Sequence, residues 1–203
     1  MVYDSDTLFE CACENYEKIE GTLLSLTNVY NSLGKEKASY DGVLADFDIV
    51  LEAFLAMASL IYGRFDPIER DFIQTLTDHA DLTEHIRRGG YNVTWEHIMD
   101  VRIEDIPRFV EGLAHYVANT VMPPLVHVLG AADAHVEEDV LSMVREYVMK
   151  IVFMLAGIDG DDSESETFNC EYAAMDKVVD LFFDLWEQER DAECLAIEEY
   201  YMR

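Results

Sequence analysis

The sequence predicts an all-α protein, and three features of its 203 residues support that prediction. Apolar residues recur three and four positions apart along nearly the whole chain, a spacing that places them on one face of a helix. No segment shows the strict alternation of apolar and polar residues that a half-buried strand requires. Half of the residues are hydrophobic, which is enough for a substantial core, and no low-complexity linker interrupts the chain. We therefore expect one compact domain over residues 1–203, built as a bundle of seven or eight helices.

Glycines divide the first half of the chain into three expected helices, because glycine readily adopts the left-handed conformation that ends a helix. The helices and the glycines that end them are 5–33 with Gly34, 43–62 with Gly63, and 66–88 with Gly89 and Gly90. The second half is divided differently. Pro123 and Pro124 must break or kink a helix that begins near Ile106, because proline lacks a backbone N–H. The other helices expected in this half are 95–101, 136–158, and a last one from residue 164 towards the C-terminus.

The charge of the chain excludes several classes of partner. Its 42 Asp and Glu residues against 14 Lys and Arg residues give a formal net charge of −28. Such a surface repels phosphate backbones and anionic lipid headgroups, so neither nucleic acid binding nor membrane insertion is expected. No apolar window approaches the roughly 20 residues of a membrane span, and the N-terminal residues do not resemble a signal peptide. We therefore expect a cytoplasmic protein whose negative field attracts divalent cations and basic proteins.

The sequence contains no catalytic signature. It lacks a His-Asp dipeptide, H-E-x-x-H, G-x-S-x-G and a glycine-rich phosphate loop, and its four cysteines form no C-x-x-C pair and are expected to be reduced. Asp78, Asp81 and His85 share one helical stripe, which indicates either a transition-metal site or a solvated polar face. His115 and His127 stand among apolar residues and are expected in the core or at an interface. We expect a non-enzymatic protein, with a metal-dependent hydrolase as an alternative.

Two short acidic turns are the most distinctive features of the chain. In "YGRFDPIERDFI", Asp66 and Glu69 occupy the two acidic positions of a capping box, with proline at the first helical position between them. In "LAGIDGDDSESETF", five carboxylates fall within eight residues. Ser163 and Glu166 of this second turn have the same capping-box spacing, and Gly160 is expected to end the preceding helix.

Capping leaves Asp159, Asp161 and Asp162 unexplained. Carboxylates at a helix C-terminus oppose the helix dipole, which costs about 0.3 to 1 kcal/mol for each exposed group. A hard divalent cation, Ca²⁺ or Mg²⁺, would offset that cost, because these ions take oxygen ligands from short Asp-rich loops. An EF-hand loop does not fit, since Ser165 and Cys170 would stand at its glycine and glutamate positions. The sequence is compatible with two interpretations of these three residues, a solvated acidic turn and a cation site.

The two turns lie in segments that resemble each other at a separation of 97 residues. Each segment contains an apolar helix, a glycine, a short acidic turn, a glutamate and a second helix. The matching pairs are Met57 with Met154, Ile61 with Ile158, Gly63 with Gly160, and Glu69 with Glu166. Two packed hairpins would bury both apolar faces, so an internal duplication is one interpretation, and shared helical periodicity is the other.

The same turns carry a resemblance to a known family. Helical hairpins joined by A-x-x-D-G-x-x-D-x-x-E, twice in an all-helical domain, resemble the TerB-like domain of the tellurite-resistance family. Its relatives include the N-terminal domain of membrane-anchored DnaJ-like co-chaperones. The similarity covers about residues 41–184, and Tyr62 and Ser163 stand where the motif has an acidic residue. The positions that match the motif are Gly63, Asp66 and Glu69 in the first copy and Asp159, Gly160 and Glu166 in the second.

The resemblance implies a bundle of about seven helices with pseudo-twofold halves, a divalent metal at the acidic turns, and a role in bacterial stress response or tellurite resistance. It implies no enzymatic reaction, and it implies scaffolding near the membrane or within a complex. We therefore expect a protein partner, basic or membrane-associated, and a homo-oligomer is a further alternative. The main alternative function is an acidic helical interaction module without a specific metal. The candidate ligands for the cation are Asp159, Asp161, Asp162, Glu166, Asp66 and Glu69.

The last expected helix carries an aromatic stripe, "DLFFDLWEQERDAECLAIEEYYMR". Phe183 and Trp186 are expected in the core. Tyr200 and Tyr201 lie near the end of this helix, where they either join the core or form anchors for a partner.

Overall fold

A computed structural model describes residues 5–34, 36–62, 65–77, 80–157 and 166–202, with side chains described outside 61–62, 156 and 166–178. Nine α-helices and no strand occur in these ranges, and eight of the helices have seven or more residues, which confirms the all-α bundle. A 3₁₀ turn over Ile103–Asp105 precedes α6. The helices are α1 (Ser5–Ser32), α2 (Tyr40–Tyr62), α3 (Pro67–Leu76), α4 (Leu82–Arg88), α5 (Trp95–Met99), α6 (Ile106–Thr120), α7 (Met122–Asp133), α8 (Val140–Ala156) and α9 (Glu166–Tyr201).

The helix α2 lies at the centre of the bundle and contacts α1, α3, α4, α6, α7, α8 and α9. Nearly every described side chain of its middle and last turns is buried, as expected for a helix covered on all sides. Around it, α1 packs on α7 and α8, and α9 packs on α7 and α8. One continuous cluster of buried apolar side chains receives residues from all nine helices.

The aromatic residues of α9 anchor it to α2. The ring of Phe182 lies 6.0 Å from that of Phe47 and 6.2 Å from that of Phe54. Phe183 and Trp186 are 2 % and 0 % exposed, so their predicted core positions are confirmed. Edge-to-face contacts of this kind add about 0.5 to 1.5 kcal/mol per pair beyond the burial of apolar area.

The predicted single helix over residues 66–88 is wrong. The structure instead has α3 and α4, separated at Thr77, and Asp81 caps α4 by accepting a hydrogen bond of 3.0 Å from the N–H of Glu84. The cause is tertiary. The buried carboxyl of Glu52, on α2, forms hydrogen bonds with the hydroxyl of Thr77, the C-cap of α3, and with the backbone N–H of Leu82, the first residue of α4.

The proline pair acts as predicted. The helix α6 ends at Thr120, and α7 begins at Met122, so that Pro123 and Pro124 fall in the first turn of α7. Proline is tolerated there because the first N–H groups of a helix have no intrahelical acceptor. The end of α1 is also confirmed, since Gly34 has a φ of 72° and lies two residues beyond Ser32.

Other helix boundaries differ from the prediction by a few residues. The helix α2 starts at Tyr40, three residues early. The predicted start of α9 at residue 164 lies outside the described residues, and the described helix runs from Glu166. The helix α8 spans only Val140–Ala156, with Gly157 as its C-cap, so the expected end at Ile158 is wrong. An N–H of Gly157 that donates to the carbonyl of Met154 closes the last turn.

Candidate functional site

The first acidic turn is a helix cap. The Oδ1 atom of Asp66 accepts hydrogen bonds from the N–H groups of Ile68, at 2.6 Å, and Glu69, at 3.2 Å. In return, Oε2 of Glu69 accepts a hydrogen bond of 2.9 Å from the N–H of Asp66. This reciprocal pair is the capping box that the sequence predicts. Both predicted ligands of this turn are therefore engaged in starting α3.

The second acidic turn falls largely outside the described residues. Asp159, Asp161 and Asp162 are not among them, and of Glu166 only the backbone is described, as the first residue of α9. The prediction that these four residues hold a cation stays a prediction.

No group of three or more His, Cys, Asp or Glu side chains in the described ranges has a geometry that would hold a metal ion. In the predicted stripe, Asp81 caps α4, and Asp78 lies outside the described residues. The ring of His85 lies against Tyr116, with 3.1 Å between Nδ1 and the tyrosine oxygen. His115 and His127, expected in the core or at an interface, are both exposed.

The buried carboxyl of Glu52 has a strongly perturbed pKa. Burial raises this pKa to about 8 from an ordinary value of 4.5, against the lowering effect of the hydrogen bonds from Thr77 and Leu82. Asp48, one turn earlier on α2, adds a like charge that raises the pKa further. The Oδ1 atom of Asp48 accepts a hydrogen bond from the hydroxyl of Tyr16, on α1. Carboxyls with a perturbed pKa often lie in active sites. A catalytic carboxyl must also be reachable by a substrate, so the exposure of these two groups decides between a catalytic and a structural role.

Both of these carboxyls are closed off from solvent. Glu52 is 1 % exposed and Asp48 is 0 % exposed, so a substrate cannot reach them in this conformation. Their hydrogen bonds join α2 to α1 and to the break between α3 and α4, and we interpret them as structural links. Sequence reasoning missed both, because a Glu or Asp inside an apolar helix shows no partner until the helices are packed.

A half-open groove of about 670 Å³ lies between α4 and α6. Its volume falls within the range of about 300 to 1,000 Å³ that is typical of small-molecule sites. One face of α6 forms the floor, and the segment after α4 forms the opposite side. The apolar residues that line it are Ile86, Tyr91, Val93, Phe109, Leu113 and Tyr116. This groove is not apparent from the sequence, because the residues on its two sides are at least 12 positions apart in the chain.

The wall of the groove is held in place by polar contacts behind it. The hydroxyl of Tyr116 donates a hydrogen bond of 3.2 Å to the carbonyl of His85. The ring of Tyr116 stands edge-on to that of Tyr91, at 5.9 Å. Gly89 permits this arrangement, because a Cβ atom there would lie 2.7 Å from the Tyr116 hydroxyl oxygen. The groove is therefore largely pre-formed.

The C-terminal end of α9 exposes apolar side chains. Exposed fractions there are 62 % for Leu195, 78 % for Tyr200, 81 % for Tyr201 and 78 % for Met202. No described apolar side chain after Trp186 on this helix belongs to the core cluster or packs on it. The alternative that the two tyrosines join the core is therefore wrong for this conformation.

Comparisons of the chain with protein-family models, curated proteins and solved structures returned no match. No described helix is long and apolar enough to cross a membrane. The TerB-like family stays an expectation that rests on the two acidic turns.

Proposed function

We propose that the protein is a non-enzymatic helical binding domain that recognises a basic partner protein through the C-terminal end of α9. The exposure of Leu195, Tyr200, Tyr201 and Met202 carries this proposal. Aromatic residues and methionine are enriched at protein interfaces, where they supply a large contact area. Three of the four exposed side chains, Tyr200, Tyr201 and Met202, are of these types, and all four lie within eight residues.

The position of these residues supports a role in binding. From residue 194 to residue 201, α9 extends by about 12 Å without described contacts to the apolar core. A helix segment of this length is marginal in water by itself, since most helical stability in proteins comes from packing. A partner that covers the apolar side chains would stabilise this end of α9.

The charge of the same segment favours a basic partner. Acidic residues of α9 outnumber its basic ones after Trp186, and the chain carries a net charge of −28. Like charges would disfavour a second copy of this chain at this surface, whereas a Lys- or Arg-rich surface would be attracted. The acidic residues concerned are Glu187, Glu189, Asp191, Glu193, Glu198 and Glu199.

Divalent cation binding is a second candidate function. Its support is the sequence of the second turn, where Asp159, Asp161 and Asp162 have no capping role, whereas Asp66 and Glu69 are engaged in a cap. The resemblance to TerB-like domains implies, for both candidates, a role in a bacterial stress response or in tellurite resistance. That physiological setting rests on the resemblance alone.

The test is affinity capture from an extract of the source cells with three immobilised proteins. These are the wild type, a Tyr200→Ser/Tyr201→Ser variant, and an Ile103→Ser control that removes a side chain exposed to 84 % elsewhere on the surface. We expect a protein of basic isoelectric point to bind the wild type and the control and not the double variant. Raising the salt from 0.1 to 1 M should release it, because screening shortens the Debye length from about 10 to 3 Å. Retention of the same proteins by all three baits would contradict the proposal.

A further inference from the structure

The groove between α4 and α6 differs in charge from the rest of the molecule. Its lining contains one acidic residue, Asp105, and one basic residue, Arg108, so with neutral histidine the formal charge of the lining is zero in a chain of −28. An anionic ligand is therefore repelled less here than over most of the surface.

Arg108 lines this groove and is exposed. No carboxylate of the described residues forms an ion pair with it. The acidic residue of the lining, Asp105, is already engaged, since its Oδ2 atom accepts hydrogen bonds of 2.8 and 2.5 Å from Arg102. The guanidinium of Arg108 is therefore available to a ligand at the edge of an apolar surface.

We propose that this groove binds a small amphipathic carboxylate, with its head on Arg108 and its apolar body along Phe109, Leu113 and Tyr116. A guanidinium matches a carboxylate because it donates two parallel N–H hydrogen bonds. Along α6 the groove extends from Arg108 to Asn119, about 16 Å, which suits an elongated body. A basic peptide suits it poorly, because Arg108 would repel the peptide and Asp105 is already paired with Arg102. The site is distinct from the end of α9 and does not depend on the function proposed for that surface.

The probe is decanoate, compared with decanol, which has the same apolar chain and no charge. Calorimetric titration below the critical micelle concentration should give one site per chain, with decanol binding about tenfold more weakly. Arg108→Gln should weaken decanoate binding about tenfold and leave decanol binding unchanged. Lys150→Gln, which removes an equal charge from α8, is the matched control and should change neither ligand.

A second variant blocks the groove without disturbing the fold. A Cβ atom at Gly112, which lines the groove, meets no atom within 4 Å, so Gly112→Trp introduces a large side chain into open space. We expect this variant to bind neither decanoate nor decanol. Gly21→Trp, at a helical glycine of α1 that also has nothing within 4 Å, is the control and should bind both.

Three results would overturn the inference. The first is equal binding of decanoate and decanol to the wild type, which would remove the role of Arg108. The second is unchanged binding to Gly112→Trp, which would place the ligand elsewhere. The third is a decanoate-induced fall in the melting temperature of the wild type, since a ligand of the native state must raise it.

Discussion

The backbone N–H of Leu82, the first residue of α4, donates a hydrogen bond of 2.6 Å to the buried carboxyl of Glu52 in α2. The other carboxyl oxygen lies 2.8 Å from the hydroxyl of Thr77, and that hydroxyl also lies 2.8 Å from the carbonyl of Ile73. When the carboxyl is ionised, the single proton of the hydroxyl is shared between these two acceptors. When the carboxyl is protonated, it can donate to Thr77 and leave the hydroxyl proton to Ile73, so every group is satisfied. This agrees with the direction of the pKa of Glu52, which burial raises to about 8.

We expect Glu52 to make the stability of the protein fall as the pH rises from about 4.5 to about 8. The folded-state pKa lies above its ordinary value of 4.5, so the native state binds the proton more tightly than the unfolded chain does. The contribution is fully present below pH 4.5 and is lost as the pH rises through 8. At 1.36 kcal/mol per pKa unit, the loss is about 5 kcal/mol at most.

Urea unfolding of the wild type and of Glu52→Gln at several pH values measures this effect. The amide of the variant can bond both Thr77 and Leu82 and does not titrate, so the variant should lack this part of the pH dependence. Glu104→Gln, at an exposed glutamate, is the control for the change in net charge. A difference between the wild type and Glu52→Gln that stays constant from pH 4.5 to 8 would show that Glu52 does not titrate there.

The approach of α7 to α9 predicts that Gly130→Ala destabilises the protein. A Cβ atom at Gly130 would lie 2.7 Å from Cβ of Glu189 and 2.8 Å from the backbone N of Arg190, so the two helices must move apart. Such overpacking costs about 1 to 3 kcal/mol, and the better helix propensity of alanine offsets about 1 kcal/mol of it.

Gly112→Ala is the matched control, because a Cβ atom there meets nothing within 4 Å. This change should stabilise the protein by about 0.5 to 1 kcal/mol through helix propensity alone. Both free energies come from urea unfolding at one pH. Equal shifts of the same sign in the two variants would mean that α7 and α9 are not in close contact at Gly130.

The capping box predicts different effects for two changes at Asp66. Asp66→Ala should lower the free energy of unfolding by about 0.5 to 2 kcal/mol, because the N–H groups of Ile68 and Glu69 lose their acceptor. Asp66→Asn should change it much less, since asparagine caps helices about as well as aspartate. A large loss in the asparagine variant would indicate that the charge of Asp66, and not only its hydrogen bonds, is needed.

The cation hypothesis for the second turn predicts a rise in melting temperature. A bound ion at a hundredfold excess over its Kd stabilises a protein by about 2.7 kcal/mol, or roughly 5 to 10 °C for a chain of this size. Scans with millimolar Ca²⁺ or Mg²⁺, against NaCl at equal ionic strength, measure it. Asp159→Asn with Asp161→Asn should abolish the rise, and Asp66→Asn should preserve it. A rise that only Asp66→Asn abolishes would move the ion to the first turn.

Much of the fold could be predicted from local patterns. Apolar spacing identified the helices, Gly34 and the proline pair marked real ends, and Asp66 with Glu69 formed the expected cap. The break between α3 and α4 could not be predicted, because the local sequence is compatible with helix and the deciding partner, Glu52, is 25 residues before Thr77. Of the two proposed binding surfaces, only one is suggested by the sequence. The sequence indicates Tyr200 and Tyr201 as anchors provided that they are exposed, whereas it gives no sign of the groove beside Arg108.

The sequence by itself determined the class of fold, the acidic charge of the surface and the absence of known catalytic motifs, because these depend on composition and on spacing within one helix. The tertiary structure decided which carboxyls are buried, which end of α9 is uncovered and where a groove forms. Those properties arise from contacts between residues far apart in the chain. The pKa of a group such as Glu52 then depends on how deeply it is buried and on which like charges lie near it. Both are decided only when the helices pack.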